Sequence, residues 1–282
     1  MRMSDWDIPG SEGLPIRGTT HQPEGDPRGV IILVHGYLGY KDYGMFPWLA
    51  AMLCKAGHIV HRVNLSHSGM DHGHGDFDLD VFLRDTWSRG VEDIMCLLKA
   101  IDRGVLAGQE SGAVLIGHSR GGSTSLLAAG RHADDEAFGR VVGVVSLSAP
   151  ANLDRMTDES KAKILAEGSI PLESSRTGQT LQIGLGWLQE QRDEPAAHDL
   201  LSAVAKIRPP VGVLHGADDP TVAAHDAVTI AQANPARVQV HIVDGADHVF
   251  NTPNPFAIDA APSRELAEVG EVMTAWIDSW IQ

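Results

Sequence analysis

The sequence predicts an α/β fold built on a largely parallel sheet, and three observations predict it. Short apolar runs bounded by glycine recur along the chain, segments with helical spacing separate them, and the lengths of both suit strand-to-helix crossovers. Residues 29–36 are a continuous apolar run ending in glycine, the pattern of a strand buried on both faces. A helix is expected over 47–56, with Pro47 in its first turn and Gly57 as its stop, and a strand over 58–65 completes a β-α-β unit.

Residues 80–103 read as one long helix. Phe82, Val91, Ile94, Met95, Leu98 and Ile101 recur at helical spacing, and Gly104 closes the segment. Further strands are expected at 113–117, 141–147, 211–215 and 238–243, with helices at 121–132, 222–233 and 263–281. The stretch 151–210 shows no strand pattern and offers helical patches at 153–166, 180–191 and 198–207. An insertion between two sheet strands leaves and returns on the strand-end side, where α/β proteins place ligands. A helical cap over about residues 151–208 is therefore expected, within a single domain spanning 1–282, and Pro209-Pro210 marks the return to the sheet.

With 43% hydrophobic and 21% charged residues, the composition is that of a globular protein. No stretch approaches the ~20 apolar residues of a membrane span. Asp5, Asp7 and Pro9 stand where a secretory signal needs a basic start and an apolar run, so a cytoplasmic location with no membrane partner is expected. Cys54 and Cys96 each fall in a helical segment and read as reduced core thiols. A formal charge of −15 without a Lys/Arg cluster argues against nucleic acid. The same excess favours a neutral or cationic small molecule over an anionic one.

Gly117-His118-Ser119-Arg120-Gly121 matches G-x-S-x-G between an expected strand and an expected helix, the context that makes the pattern a nucleophile elbow. A serine on so sharp a turn crowds the neighbouring backbone, and Gly117 and Gly121 remove the Cβ atoms that would clash. A serine hydroxyl also needs a base, itself held in one tautomer by a carboxylate. His215-Gly-Ala-Asp-Asp219 follows the fifth strand and Gly245-Ala-Asp-His248 the sixth, so the chain order Ser119, Asp219, His248 suits this fold.

Together with His35-Gly-Tyr-Leu-Gly39, Gly117-His-Ser-Arg-Gly-Gly122, His215-Gly-Ala-Asp-Asp-Pro-Thr-Val222 and Gly245-Ala-Asp-His-Val-Phe250, the chain resembles the α/β-hydrolase superfamily. The likeness is nearest to the feruloyl-esterase-like and serine-aminopeptidase-like branch and covers about residues 14–281. The resemblance implies an α/β-hydrolase fold, and its His-Gly-x-x-Asp pattern selects Asp219 over Asp218. It further implies an oxyanion hole made by the backbone N–H groups of Tyr37 and Arg120; the second suits the start of a helix, where unpaired donors collect. One departure is the turn after the second strand, Asn64-Leu-Ser-His-Ser-Gly69, where the family often has an Asp-x-x-Gly-x-Gly-like turn.

His67, Asp71, His72, His74 and Asp76 crowd together and raise a metal-dependent alternative. Compared with His-x-His-x-Asp-His, however, the run has Gly69 at a ligand position, and a glycine-rich loop without metal is expected. His118 is expected to point away from Ser119 and pack, and the Arg120 side chain to form a surface ion pair. Leu181, Ile183, Leu185, Trp187 and Leu188 suggest an apolar acyl or aryl pocket in the cap, helix packing being the other account.

The expected activity is hydrolysis of a carboxylic ester of a small to medium substrate through an acyl-enzyme, with Ser119 as nucleophile, His248 as base, Asp219 as its orienter and no cofactor. Amide or peptide hydrolysis on the same fold is the alternative, and a binding module is disfavoured by the complete triad.

Overall fold

In the structure, a computed structural model describing residues 1–73 and 75–281, the chain opens with a hairpin of β1 (Arg2–Pro9) and β2 (Pro15–Gln22). It then runs through β3 (Val30–Val34), α1 (Phe46–Lys55), β4 (Ile59–Asn64), α2 (Leu79–Phe82), α3 (Trp87–Asp102), β5 (Ala113–His118), α4 (Arg120–Arg131) and β6 (Val141–Leu147). There follow α5 (Asp158–Glu167), a second hairpin of β7 (Ser169–Glu173) and β8 (Thr180–Gly184), α6 (Leu185–Asp193) and α7 (Leu200–Val204). The last elements are β9 (Val211–Gly216), α8 (His225–Ala233), β10 (Val238–Val243) and α9 (Arg264–Trp280).

Among the described residues the main sheet has eight strands in the order β1-β2-β4-β3-β5-β6-β9-β10. The first two are antiparallel to their neighbours and the rest are parallel. Successive residues of a strand face opposite sides, so buried strands feed two cores. On β3, Val30, Ile32 and Val34 join the core under α3 and α4, whereas Ile31 and Leu33 join the one under α1 and α9. From β3 the chain crosses to β4 on one side, and β5 lies on the other. The carboxyl ends of β3 and β5 therefore flank the switch point where such sheets bind ligands.

Four features differ from the sequence expectation. The β1–β2 hairpin was not foreseen, because Arg2–Pro9 is mostly exposed and its apolar face is only Trp6 and Ile8; it is held by Trp6, whose ring covers Gly18 and whose Nε1 donates to Thr20 Oγ1 at 2.8 Å. The expected helix at 80–103 breaks after Phe82 and restarts at Trp87, with Thr86 as N-cap. Glu190 completes that cap: its carboxylate accepts from Trp87 N at 2.6 Å and Ser88 N at 3.2 Å. In the insertion, β7 and β8 pair where no strand was expected, and β8 occupies the start of the supposed helix at 180–191. Finally, α8 begins three residues later than Val222, because residues 219–222 form a turn around the Asp219 carboxylate.

The supposed pocket residues also have other partners. Leu181 packs with Tyr40, Met70, Phe77 and Phe82, while Leu188, Ile183, Leu185 and Trp187 pack around Ile164 and Ile170. α7 lies in the main core against α4, close enough that a Cβ on Gly130 would stand 2.2 Å from Ala203 O.

Several histidines are buried within this framework. His61 is fully buried; its Nε2–H donates to Ala107 O at 3.0 Å and its Nδ1 accepts from Thr20 Oγ1 at 2.8 Å. Burial lowers its pKa to about 4, and burial does the same to His35. Unfolded histidine takes up a proton below about 6.5, which these groups refuse until about pH 4. Their stabilising contribution is thus complete above about pH 6.5 and is lost as the pH falls. We predict that urea melts show stability falling from pH 6.5 to 5. A folded His61→Gln variant should lose about 1.4 kcal/mol per pH unit of that slope; an unchanged slope would contradict the assignment.

Candidate active site

Ser119 stands between β5 and α4 with φ 52° and ψ −121°, a conformation that costs an L-residue energy unless its surroundings fix it. Its N–H donates to Leu147 O at 2.7 Å, and its carbonyl accepts from Gly122 N at 2.9 Å as the helix begins. A Cβ on Gly117 would lie 2.2 Å from Gly121 O, and one on Gly121 would lie 2.3 Å from His35 O. Both glycines are thus set by close backbone approach. Gly36, at the end of the neighbouring strand, has room for no more than a tight fit: its Cβ would be 3.1 Å from Ser119 Cβ.

His248 follows β10 and Asp219 follows β9. His248 Nδ1 donates to Asp219 Oδ2 at 2.7 Å, which leaves Nε2 as the acceptor of a neutral ring. Asp219 Oδ1 accepts from Thr221 N at 2.8 Å and Val222 N at 2.9 Å, and His215 Nε2 lies 3.3 Å from Oδ2 while donating to Val222 O at 2.9 Å. Burial alone would raise the Asp219 pKa, but hydrogen bonds from His215, His248 and Val222 N–H outweigh it and hold the carboxyl well below the usual range. Asp218 and Asp244 are exposed, Asp247 accepts from Val249 N and Asn251 N, and Asp154 pairs with Lys161. Of the carboxylates weighed from the sequence, Asp219 is the one that meets the imidazole.

His118 is buried and hydrogen-bonded, and it lines the cavity shared by Ser119 and His248. Its Nε2–H donates to the backbone carbonyl of His248 at 2.8 Å, and burial together with the nearby His248 lowers its pKa to about 3. The loop after β3 is fixed by a second histidine. His35 Nδ1–H donates to Gly36 O at 2.8 Å, and Gly39 N donates to the same oxygen at 3.1 Å. A trans peptide sets its N–H opposite its carbonyl, so the Tyr37 N–H is turned away from those two donors. At the start of α4 the Arg120 N–H belongs to the first turn, where helices lack internal acceptors.

The Arg120 side chain is not on the surface. Its guanidinium makes two bonds to Asp85, at 2.5 and 3.2 Å, with both side chains mostly buried, and lies 5.1 Å from the Tyr37 ring and 4.9 Å from that of Trp87. Burial raises the Asp85 carboxyl to about 6 against the opposing pull of Arg120. Asp85 sits in the helix break at 83–86, so reading that segment as continuous helix concealed it.

Ser119 and His248 line a cavity of about 230 Å³ together with Gly36, Tyr37, Leu38, Tyr43, Phe46 and Val249. The turn between β7 and β8 adds Ser174, Ser175 and Arg176. Among the described residues, none of Leu181, Ile183, Leu185, Trp187 and Leu188 lines it; the apolar walls come instead from residues beside β3 and α1 and from Val249 after β10.

The histidine-rich loop disperses its side chains. His67 Nε2 is 3.3 Å from Glu12, His72 pairs with Asp7 at 2.5 Å, and Asp71 Oδ1 accepts from Gly73 N. His74 lies outside the described residues. Among the described residues no group of three or more His, Cys, Asp or Glu side chains is placed to hold a metal ion.

A serine on a strained turn after one parallel strand, a carboxylate after another and an imidazole after the last, in that chain order, define the α/β-hydrolase class. The chain belongs to the α/β-hydrolase family, whose model matches residues 31–267, and it is a hydrolase. Among solved structures it is similar to the esterase domain of a Rhodothermus marinus protein, at 20% identity and a TM-score of 0.66 with all of both chains covered. It is also similar to Est1E of Butyrivibrio proteoclasticus with ferulic acid bound, at 17% identity and a TM-score of 0.69 over 97% of this chain and 98% of that one. A third is mouse alpha/beta hydrolase domain-containing protein 10, at 21% identity and a TM-score of 0.68 over 98% and 99% of the two chains. No curated protein matches the sequence.

The elbow geometry gives a direct prediction. Gly117→Ala and Gly121→Ala should each cost more than about 3 kcal/mol or prevent soluble folding, because backbone atoms are what they meet. Gly245→Ala, at φ 75° with open space around it, should cost about 1–2 kcal/mol. Denaturant melts of the three variants compare them, and equal costs would contradict the packing account.

Proposed function

We propose that the protein is a serine esterase that cleaves a small-molecule carboxylic ester through an acyl-enzyme. The observation that carries this reading is the 2.7 Å bond between His248 Nδ1 and Asp219, with the imidazole and Ser119 lining one cavity. Ser119 Oγ attacks the ester carbonyl as His248 Nε2 takes its proton; the proton passes to the departing alcohol, and water then releases the acid by the same route. Asp219 fixes the tautomer and stabilises the imidazolium. The backbone N–H groups of Tyr37 and Arg120 hold the oxyanion; the Gly36 carbonyl taken up by His35, which turns the Tyr37 N–H the other way, and the place of Arg120 in the first turn of α4 support that role.

The insertion between β6 and β9 acts as a cap, on the ground that its β7–β8 turn lines the cavity. Ester is preferred to amide by analogy with the esterases among similar structures. Cys54 and Cys96 are unpaired, which supports a reducing, cytoplasmic setting.

A fluorophosphonate probe should label Ser119 alone, and Ser119→Ala should abolish labelling and lower kcat by roughly 10⁴ to 10⁶. Labelling that survives the substitution would remove the reading. Asp219→Asn should cost about 10⁴ in kcat while Asp218→Asn stays within a few fold, because Asp219 alone of the two meets His248. Activity should persist after dialysis against EDTA; a loss restored by zinc would favour the metal-dependent alternative.

A further inference from the structure

The two residues whose N–H groups are assigned to the oxyanion are also joined through their side chains. The Arg120 guanidinium, fixed by two bonds to Asp85, lies 5.1 Å from the Tyr37 ring and 4.9 Å from the Trp87 ring. Tyr37 also packs on Phe82, with ring centroids 5.6 Å apart. Trp87 is anchored in turn by the bond from its N–H to Glu190.

This assembly stands behind the loop after β3, not in the cleft. Gly36, Tyr37, Leu38 and Gly39 line the cavity of Ser119 and His248 and also a second one of about 20 Å³, room for about one water. Asp85 and Arg120 line the second cavity, and among the described residues neither lines the first. The loop is thus a thin partition backed by a small void, and the Tyr37 ring is where the guanidinium braces it.

A buried ion pair is a poor way to stabilise a core. Both charges must leave water, and apolar residues of similar volume often serve as well. Burial pushes the Asp85 carboxyl up to about 6 against the pull of Arg120, which is that cost in another form. What a two-bond pair supplies and an apolar contact does not is one fixed orientation of the guanidinium plane. That orientation reaches both oxyanion donors: Arg120 at the start of α4 and Tyr37 through its ring.

We propose that Asp85 is a positioning residue of the hydrolytic site: by fixing the Arg120 guanidinium against the Tyr37 ring, it holds the Tyr37 and Arg120 N–H groups at the spacing an oxyanion requires. This rests on the esterase reading. Because both donors are backbone groups, no substitution at Asp85 removes either; a variant changes only where they stand.

The test compares wild type with Asp85→Asn on p-nitrophenyl acetate and butyrate. kcat should fall roughly 10- to 100-fold with KM within about threefold, a smaller loss than removing a hole donor outright causes. 1,1,1-Trifluoropentan-2-one supplies the second readout: Ser119 Oγ adds to its carbonyl carbon, the serine proton passes to His248, and the carbonyl oxygen becomes the oxyanion. Its Ki should rise by the factor by which kcat/KM falls, because both read the same N–H groups. A folded Asp85→Asn with kcat within about twofold of wild type overturns the proposal, as does a loss confined to KM or a kcat loss with ketone binding unchanged. If Asp85→Asn does not fold, Asp85→Asn/Arg120→Met removes both charges together and leaves none buried alone. That double variant should show the same split, and full kcat in it overturns the proposal. Where Ser119 labels but neither ester is cleaved, the rate of fluorophosphonate labelling replaces kcat, since the phosphoryl oxygen enters the same hole. No labelling and no hydrolysis sinks the esterase reading as well; normal wild-type turnover with an unaffected Asp85→Asn sinks the positioning role alone.

Discussion

The arrangement at the carboxyl edge of the sheet depends on the backbone of Ser119. At φ 52° and ψ −121° this residue sits where an unconstrained L-amino acid would not stay, at a cost of order 1–3 kcal/mol. What holds it is contact on every side: β6 supplies Leu147 O to its N–H, and α4 takes its carbonyl. The neighbouring glycines let the first turn of α4 approach both the end of β5 and the carbonyls of Val34 and His35. Because β3 and β5 are adjacent only at a switch point, the same constraint brings the His35–Gly36 loop against the serine. The turn that exposes the hydroxyl and the loop that faces it are therefore one packing solution.

Two histidines in ring contact, 4.8 Å apart, have been given opposite tasks by their surroundings. His118 is buried and committed through Nε2–H to the carbonyl of His248, and burial, with the nearby His248 ring, takes its pKa down to about 3. His248 instead has a carboxylate at Nδ1 and open cleft beside it. His35 stays neutral for the same reason, burial, and serves by fixing a peptide plane.

Much of this was legible in the sequence because the strands and the elbow obey local rules. β6 and β10 coincide with their apolar runs, and Gly117, Ser119 and Gly121 state the turn outright. The register of the acid was legible too, since Asp219 rather than Asp218 reaches the imidazole. What stayed hidden depends on contacts remote in the chain. The break at 83–86 makes sense only once Glu190 and Arg120 supply partners for the α3 N-terminus and Asp85. β7 contains Pro171, which a two-stranded hairpin tolerates at its edge, and the helix-like spacing of Leu181 and Leu185 spans the end of β8 and the start of α6. Arg176 carries no local signal for its place, since the rings it lies against, Tyr40 and Phe77, are remote in the chain.

The insertion is fastened to the body at several separated points besides the packing of α7, and this bears on how a substrate enters. Near its hairpin, Gln179 exchanges two bonds with the Phe77 backbone, at 2.7 and 3.0 Å, and Arg176 bonds Gly75. Further along, Glu190 holds the first N–H groups of α3. Each neutral bond contributes on the order of 1 kcal/mol and the carboxylate bonds more, while Leu181 buries its side chain among Tyr40, Phe77 and Phe82. Swinging the whole insertion outward would break these attachments and uncover that apolar cluster together. The arrangement favours a fixed rim over a moving lid: binding in the cleft then orders the ligand without also having to order the protein.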